Sequence, residues 1–98
     1  MSLVKWSTPT LEFELPADLV FDYVLITIKG ASRKYEKKVM AQDVTNGHFS
    51  ITLTQKETGS FRVGETVRIM GNVMSGETRI PTVEAALVVE RNLHDEEI

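Results

Sequence analysis

Residues 48–74, HFSITLTQKETGSFRVGETVRIMGNVM, contain the pattern that most restricts the fold of this chain. Phe49, Ile51 and Leu53 alternate with polar residues, which is typical of a strand with one buried face and one solvated face. The alternation stops at residue 54 and resumes at residue 65 with Val67 and every second residue after it. The stretch therefore predicts two strands joined by a short segment of a different structure.

That joining segment begins with TQKE at residues 54–57, which matches a capping box. In this motif the Thr54 hydroxyl accepts a hydrogen bond from the backbone N–H of Glu57, and the Glu57 carboxylate accepts one from the N–H of Thr54. We therefore expect one short helical turn from Thr54 to Thr58. Such a corner can carry the chain from one sheet of a sandwich to the other, whereas a tight two-residue turn keeps both strands in one sheet.

Further strands are predicted before and after this stretch. Residues 11–15 alternate between apolar and acidic side chains, and a proline flanks this segment on each side. Residues 20–29, VFDYVLITIK, are rich in β-branched and aromatic residues, which favours a central strand. Residues 33–40, RKYEKKVM, carry charge on both faces and suit a sheet edge, where lysines oppose edge-to-edge association. Asn46-Gly47 indicates a type I′ hairpin turn, because both central positions of that turn require positive φ.

Two features have alternative interpretations at this level. Residues 79–90 read as an extended strand with a stretch that is apolar on both faces, but residues 83–93 also contain the helix-compatible run EAAL. The β-branched pair Val88-Val89 favours the strand, and the helix stays open as the alternative. Trp6 either packs at one end of the core, which its large apolar surface favours, or serves as an exposed anchor for a partner.

The composition is that of one domain spanning residues 1–98. With 98 residues, 42% of them apolar, the chain is long enough for a single core. Its net charge of −3 gives no general attraction to nucleic acid or to anionic membranes, so neither is an expected partner. We expect residues 1–7 to be flexible or vector-derived and residues 92–98 to form a solvated acidic tail.

No set of residues in the sequence predicts catalysis or a bound cofactor. The two histidines, His48 and His94, lack the spacing of zinc ligands, and there is no cysteine. Glu12 and Glu14 would share the solvated polar face of a strand, whereas an acid–base pair of carboxylates needs partial burial. No nucleophile elbow or phosphate-binding glycine motif occurs. We therefore expect a protein that is not an enzyme, without catalytic, cofactor-binding or metal-binding residues.

A cluster of basic residues around one tyrosine is the remaining signal, and it comprises Lys29, Arg33, Lys34, Lys37 and Lys38 with Tyr35. Its favoured interpretation is edge protection or an electrostatic contact with an acidic protein surface. The candidate contact residues are Lys34, Tyr35, Lys37 and Lys38 of this cluster and Trp6, the possible anchor near the amino-terminal end. The acidic residues 95–97 could complement this cluster in a neighbouring copy, which would make a homo-oligomer.

Several short motifs resemble a group of small proteins encoded in phages and prophages of Gram-positive bacteria, which are in turn similar to the immunoglobulin-like N-terminal domain of phage baseplate upper proteins. The resemblance spans residues 8–92 and rests on Thr8-Pro9-Thr10 with Phe13, Leu15 and Pro16, Asn46-Gly47, the run ITLTQKET at 51–58 followed by Phe61, and Val67-Arg68-Ile69. Where members of this group have an apolar or acidic second hairpin, this chain has the lysine cluster.

The resemblance implies a fold and a class of function. The fold is an all-β, immunoglobulin-like antiparallel sandwich of about seven strands with one short helical turn. The implied role is a structural or assembly component of a phage tail or baseplate, assembled in the bacterial cytoplasm and carried in the virion, with other phage structural proteins as partners. The alternative is a binding module for a cell-surface carbohydrate or protein.

Overall fold

The computed structural model describes residues 2–82 and 84–98, and in these residues the chain forms eight strands, one α-helix and one 3-10 turn. The strands are β1 (Ser2–Val4), β2 (Thr10–Glu14), β3 (Tyr23–Lys29), β4 (Lys34–Met40), β5 (His48–Thr52), β6 (Thr66–Ser75), β7 (Thr78–Pro81) and β8 (Ala85–Glu90). The helix α1 covers Gln55–Gly59, and the 3-10 turn covers Ala41–Asp43.

The strands form two sheets, one of six strands and one of two. The larger sheet has the order β1-β8-β6-β3-β4, and β7 pairs with the same edge of β6 as β8 does. The smaller sheet consists of β2 and β5. Every strand pair in the described residues is antiparallel except β1 with β8, which is parallel. The predicted all-β sandwich with a small helical element is confirmed, with one parallel pair and eight strands in place of about seven.

The core consists of apolar side chains that the pleat of each strand directs between the sheets. In β3, Val24, Ile26 and Ile28 are fully buried, and β3 lies between β4 and β6, so the predicted central position is confirmed. The strand is shorter than predicted: it begins at Tyr23, and Val20 lies in the preceding loop with its side chain exposed. The buried apolar residues of the core are Leu3, Leu15, Val24, Ile26, Ile28, Phe49, Ile51, Leu53, Phe61, Val67, Ile69, Val73, Leu87 and Val89.

The predicted helical corner joins the two sheets. The Thr54 hydroxyl accepts from the Glu57 backbone N–H at 3.2 Å, and the Glu57 carboxylate accepts from the Thr54 N–H at 2.9 Å, so both halves of the capping box are present. Before this corner the chain is in β5 of the small sheet, and after it the chain is in β6 of the large sheet. The interpretation of this corner as a sheet-to-sheet connection is therefore confirmed.

The Asn46-Gly47 turn has the predicted geometry, but the hairpin around it is limited to one bridge between Thr45 and His48, because β4 and β5 lie in different sheets. Asn46 has φ of 51° and Gly47 has φ of 81°, and the flanking Thr45 and His48 exchange backbone hydrogen bonds of 3.0 and 2.9 Å. A Cβ atom at position 47 would overlap the carbonyl of Leu15, whose N–H donates to the Gly47 carbonyl at 2.7 Å. Glycine is therefore required both by the backbone angle and by the close approach of the neighbouring chain.

The predicted strand at residues 79–90 is divided into β7 and β8, which pair with successive parts of the same edge of β6. At the division the Gly71 N–H donates to the Thr82 hydroxyl at 2.8 Å, and the Thr82 N–H donates to the Gly71 carbonyl at 2.8 Å. Residues 85–90 are strand, which decides between the two interpretations left open for them, and Val83 lies outside the described residues.

The two ends of the chain are held against the body of the domain. Ser2–Val4 forms a strand and the Leu3 side chain is 2% exposed, so the flexible end expected for residues 1–7 is not what the structure shows for this segment. In the acidic tail, the backbone N–H of Ile98 donates to the Gln55 side chain at 2.9 Å. This contact, with those of Asp95 described below, places the tail beside α1.

Candidate partner-binding surface

Strand β4 carries four of the five candidate contact residues, and its pleat divides them between two faces. Tyr35 and Lys37 are half-buried and lie on the inner face, whereas Lys34 and Lys38 are exposed on the outer face. In the described residues β4 pairs only with β3, so its predicted position at a sheet edge is confirmed. The structure therefore does not bring the four residues together on one surface.

The inner residues of β4 are occupied by contacts with α1 and the residues just after it. The Lys37 ammonium lies 3.0 Å from the Glu57 carboxylate, and the Tyr35 hydroxyl donates to the Ser60 hydroxyl at 2.8 Å. The Tyr35 ring also meets the Phe61 ring edge-to-face, with 5.8 Å between the centroids. These contacts fix the helical corner over the inner face of the edge strand.

The carboxylate at the centre of these contacts has a shifted pKa. Partial burial of Glu57 by itself would raise its pKa, because burial disfavours the charged form. The hydrogen bond from the Thr54 backbone N–H and the nearby Lys37 ammonium act in the opposite direction and outweigh burial, so the pKa of Glu57 lies below its ordinary value. Glu57 is therefore a charged structural residue that joins the capping box to β4.

The solvent side of the six-stranded sheet has an apolar centre. Tyr23 and Leu25 of β3 and Met70 and Met74 of β6 all point to this side, and each is only half-buried. Tyr23 is directly opposite Met74 in the pairing of the two strands, and Leu25 is two residues further along. We call this surface, with the charged residues around it, the outer face.

Five cations and two carboxylates surround the apolar centre of the outer face: Lys29, Lys34, Lys38, Arg68 and Arg79 with Glu36 and Glu84. Lys34 lies 3.5 Å from Glu36, and Arg68 lies 2.7 Å from Glu84. The other three cations make no ion pair within the described residues. The outer face therefore carries a positive charge although the whole chain is acidic.

The cations of the outer face are aligned across neighbouring strands. Lys29 in β3 is directly opposite Lys34 in β4 on one side and Arg68 in β6 on the other. Like charges at directly opposite positions of neighbouring strands destabilise a sheet. Glu36 and Glu84 each offset one end of this row, so Lys29 is left as its uncompensated cation, available for contact with an anionic surface.

Shallow grooves run between these side chains. A groove of about 410 Å³ lies between Tyr23, Leu25, Lys34, Met74 and Arg79. The Lys38 ammonium lies 4.2 Å from the centroid of the Tyr23 ring, within the range of a cation–π contact. The Arg79 guanidinium donates to the Asn72 side chain at 3.0 Å, which holds the arginine at the rim of the groove.

Trp6, the fifth candidate contact residue, lies at a different place, beside α1. Its ring packs against Gly59, where a Cβ atom would overlap it, and its indole N–H donates to the Asp95 carboxylate at 2.9 Å. Lys5 lies 4.0 Å from the same carboxylate. Trp6 is half-buried, so it has both the packing role favoured from the sequence and a solvent-facing edge.

Sequence reasoning identified Lys34 and Lys38 on the outer face but missed its apolar centre. The available signal was the phase of alternation in residues 20–29 and 65–74, where Tyr23, Leu25, Met70 and Met74 occupy positions opposite in phase to the core residues. That phase becomes informative only when the two segments are known to be neighbouring strands.

Two other kinds of site are absent from residues 2–82 and 84–98. No group of three or more His, Asp or Glu side chains is arranged to hold a metal ion in this part of the chain. No helix within it has the length and apolar character needed to cross a membrane.

The outer face is thus the surface where predicted contact residues, apolar side chains and unpaired charge occur together. Comparison with known proteins adds nothing to this result. No protein-family model, no curated protein and no solved structure matches the chain.

Proposed function

We propose that this chain is a non-enzymatic assembly component of a phage tail or baseplate and that it contacts an acidic surface of another structural protein through its outer face. The observation that carries the contact is the row Lys34, Lys29 and Arg68 across three neighbouring strands, next to half-exposed apolar side chains. The phage setting is supported by the sequence resemblance of residues 8–92.

The chemistry of the outer face suits a protein partner. Its half-exposed tyrosine, leucine and methionine side chains provide apolar area at the centre, and its cations lie around that area. Protein interfaces have the same arrangement, an apolar centre with a polar rim, and tyrosine, methionine and arginine are enriched in them. Electrostatic complementarity to an acidic surface would speed association and select the partner.

Carbohydrate recognition is less well supported by the same surface. Sugar rings stack on exposed aromatic faces, and Tyr23 is the aromatic residue of the outer face. The Lys38 ammonium lies 4.2 Å from the centroid of that ring, so one side of it is already engaged.

The proposal is tested in particles produced from a bacterial strain that carries the gene, after induction of the prophage. Quantitative mass spectrometry of purified particles should find the chain at a fixed ratio to the tail proteins. Lys38→Glu should lower that ratio about tenfold or more, since it places a like charge against an acidic partner. Lys56→Glu is the matched control, because Lys56 is an exposed lysine of α1 and lies outside the outer face.

Three results would count against the proposal. Absence of the chain from the particles would exclude the assembly role. Equal incorporation of the Lys38→Glu and Lys56→Glu variants would exclude the outer face as the contact surface. A location of the gene among metabolic genes, in place of tail, holin and lysin genes, would contradict the phage setting.

A further inference from the structure

The small sheet has an open edge along β2. β2 pairs with β5 on one side, and no strand in residues 2–82 and 84–98 pairs with its other side. At one end of this pairing the Leu53 N–H donates to the Pro9 carbonyl, and at the other end the Leu15 N–H donates to the Gly47 carbonyl. Residues of odd number in this strand therefore direct their backbone groups to β5, and those of Thr10, Glu12 and Glu14 point to the open edge.

An apolar groove lies beside this open edge. It has a volume of about 390 Å³ and lies between β2 on the small sheet and β6 and β8 on the large sheet. Its apolar lining is formed by Leu11, Phe13, Ile69, Ala85 and Leu87. Leu11 and Phe13 are half-buried and Ala85 is exposed, so the sandwich is incompletely covered at this point.

The open edge is acidic. Glu12 and Glu14 alternate with Leu11 and Phe13 along β2, and both carboxylates are exposed. In the described residues neither carboxylate forms an ion pair, since the five ion pairs found there involve other acids. A strand added at this edge would therefore meet apolar side chains on one of its faces and two negative charges on the other.

We infer that the β2 edge binds an extended segment of a partner protein in which apolar and basic residues alternate. The segment would add a strand to the small sheet: its backbone would bond to Thr10, Glu12 and Glu14, and its apolar side chains would cover the groove. Its basic side chains would lie opposite the two glutamates. Such strand addition combines main-chain hydrogen bonds, which provide affinity, with alternating side chains, which provide specificity.

A second copy of this chain is a poorer occupant for reasons of register. Its basic strand is β4, in which Glu36 lies between Lys34 and Lys38 on the outer side. In either strand direction, a register that places one of these lysines opposite Glu12 or Glu14 leaves the other glutamate opposite Glu36, Ser32 or Met40, so no register pairs both glutamates with lysine. Where Glu36 is the residue opposite, the repulsion between the two carboxylates also opposes the pairing. The partner is therefore a different protein.

This inference does not depend on the proposed function, because it concerns another surface of opposite charge. The outer face is basic and suits an acidic partner, whereas the β2 edge is acidic and suits a basic segment. A domain with both surfaces can join two different neighbours.

The test uses a synthetic peptide, acetyl-Lys-Val-Lys-Val-Lys-Val-Lys-amide, titrated into the ¹⁵N-labelled protein and followed by NMR. We expect the amide signals of residues 10–14 and 85–87 to move, and Glu12→Lys to weaken binding about tenfold, since it replaces an attractive charge by a repulsive one. Glu77→Lys is the matched control, because Glu77 is an exposed glutamate in the turn between β6 and β7. Lys38→Glu should bind the peptide at least as tightly as the unmodified protein.

Two control peptides make the test specific. A peptide of the same composition with the lysines and valines in separate blocks should bind much more weakly, and so should a peptide with N-methyl groups on alternate residues, since these remove its donors toward β2. Binding weaker than about 1 mM, equal binding of the block peptide, or signal changes confined to residues outside 10–14, 69 and 85–87 would each overturn the inference. So would self-association of the protein through this edge.

Discussion

The two faces of β4 show how one short charged strand can have two roles. On the inner face, Lys37 pairs with Glu57 at 3.0 Å and Tyr35 bonds to Ser60 at 2.8 Å, so both residues hold the helical corner. On the outer face, Lys34 and Lys38 border an exposed apolar centre. Residue type therefore does not distinguish a structural lysine from one available to a partner. The face on which the lysine lies does.

The largest effect should follow from removing the inner tyrosine. Tyr35→Ala should lower the free energy of unfolding by about 3 kcal/mol, because it removes a half-buried ring that packs against Phe61. Tyr35→Phe keeps the ring and should cost only about 1 kcal/mol for the lost hydrogen bond. Urea unfolding followed by tryptophan fluorescence measures both. An unchanged urea midpoint for Tyr35→Ala would show that the inner face of β4 contributes no more to stability than the outer face does.

Loss of the helix cap should have the next largest effect. Thr54→Ala removes the acceptor for the Glu57 N–H and should cost about 1 kcal/mol of stability. Thr8→Ala is the control, because Thr8 is an exposed threonine of the loop before β2 and its side chain forms no hydrogen bond within the described residues. If the two variants unfold at the same urea concentration, the capping box does not stabilise the element that covers the inner face.

Lysine replacements compare the two faces directly. Lys37→Ala should destabilise the domain by about 0.5 to 1 kcal/mol, since it removes a partly covered ion pair, while Lys38→Ala should change stability by less than about 0.5 kcal/mol. Incorporation into particles should show the reverse order, with Lys38→Ala the more impaired variant. Equal stability losses for the two variants, measured by thermal unfolding, would contradict the division of roles.

The smallest effect concerns pH. The pKa of Glu57 is lowered in the folded state from its ordinary value of 4.5, so the folded state binds this proton less readily than the unfolded state does. The resulting stabilisation is present above about pH 4.5 and is lost as the pH falls through the folded-state pKa. The stability difference between the unmodified protein and Glu57→Gln should therefore shrink between pH 6 and pH 3. A difference that stays constant over this range would mean that charge on Glu57 does not contribute.

Much of the fold was predictable because the relevant signals are local. The capping box depends on two residues three positions apart, and the Asn46-Gly47 turn depends on which residues accept positive φ. Strand alternation is likewise visible within five to ten residues. These features are confirmed in the structure with small differences in their bounds.

The candidate site was predictable only in part. Lys34 and Lys38 were identified, but the sequence did not show that Tyr35 and Lys37 meet Ser60 and Glu57. Those contacts link residues about 20 to 25 positions apart, and they depend on where α1 packs. The apolar centre of the outer face was missed for the same reason, since it forms only when β3 and β6 lie side by side.

Backbone geometry and side-chain alternation over a few residues were thus enough to predict strands β2 to β6, the helical corner and the edge character of β4. Tertiary structure alone decided that β1 pairs in parallel with β8, that Trp6 bonds to Asp95, and that the cations form a row across β4, β3 and β6. The physical reason is that these arrangements join distant segments, whose relative positions are set by packing of the whole core.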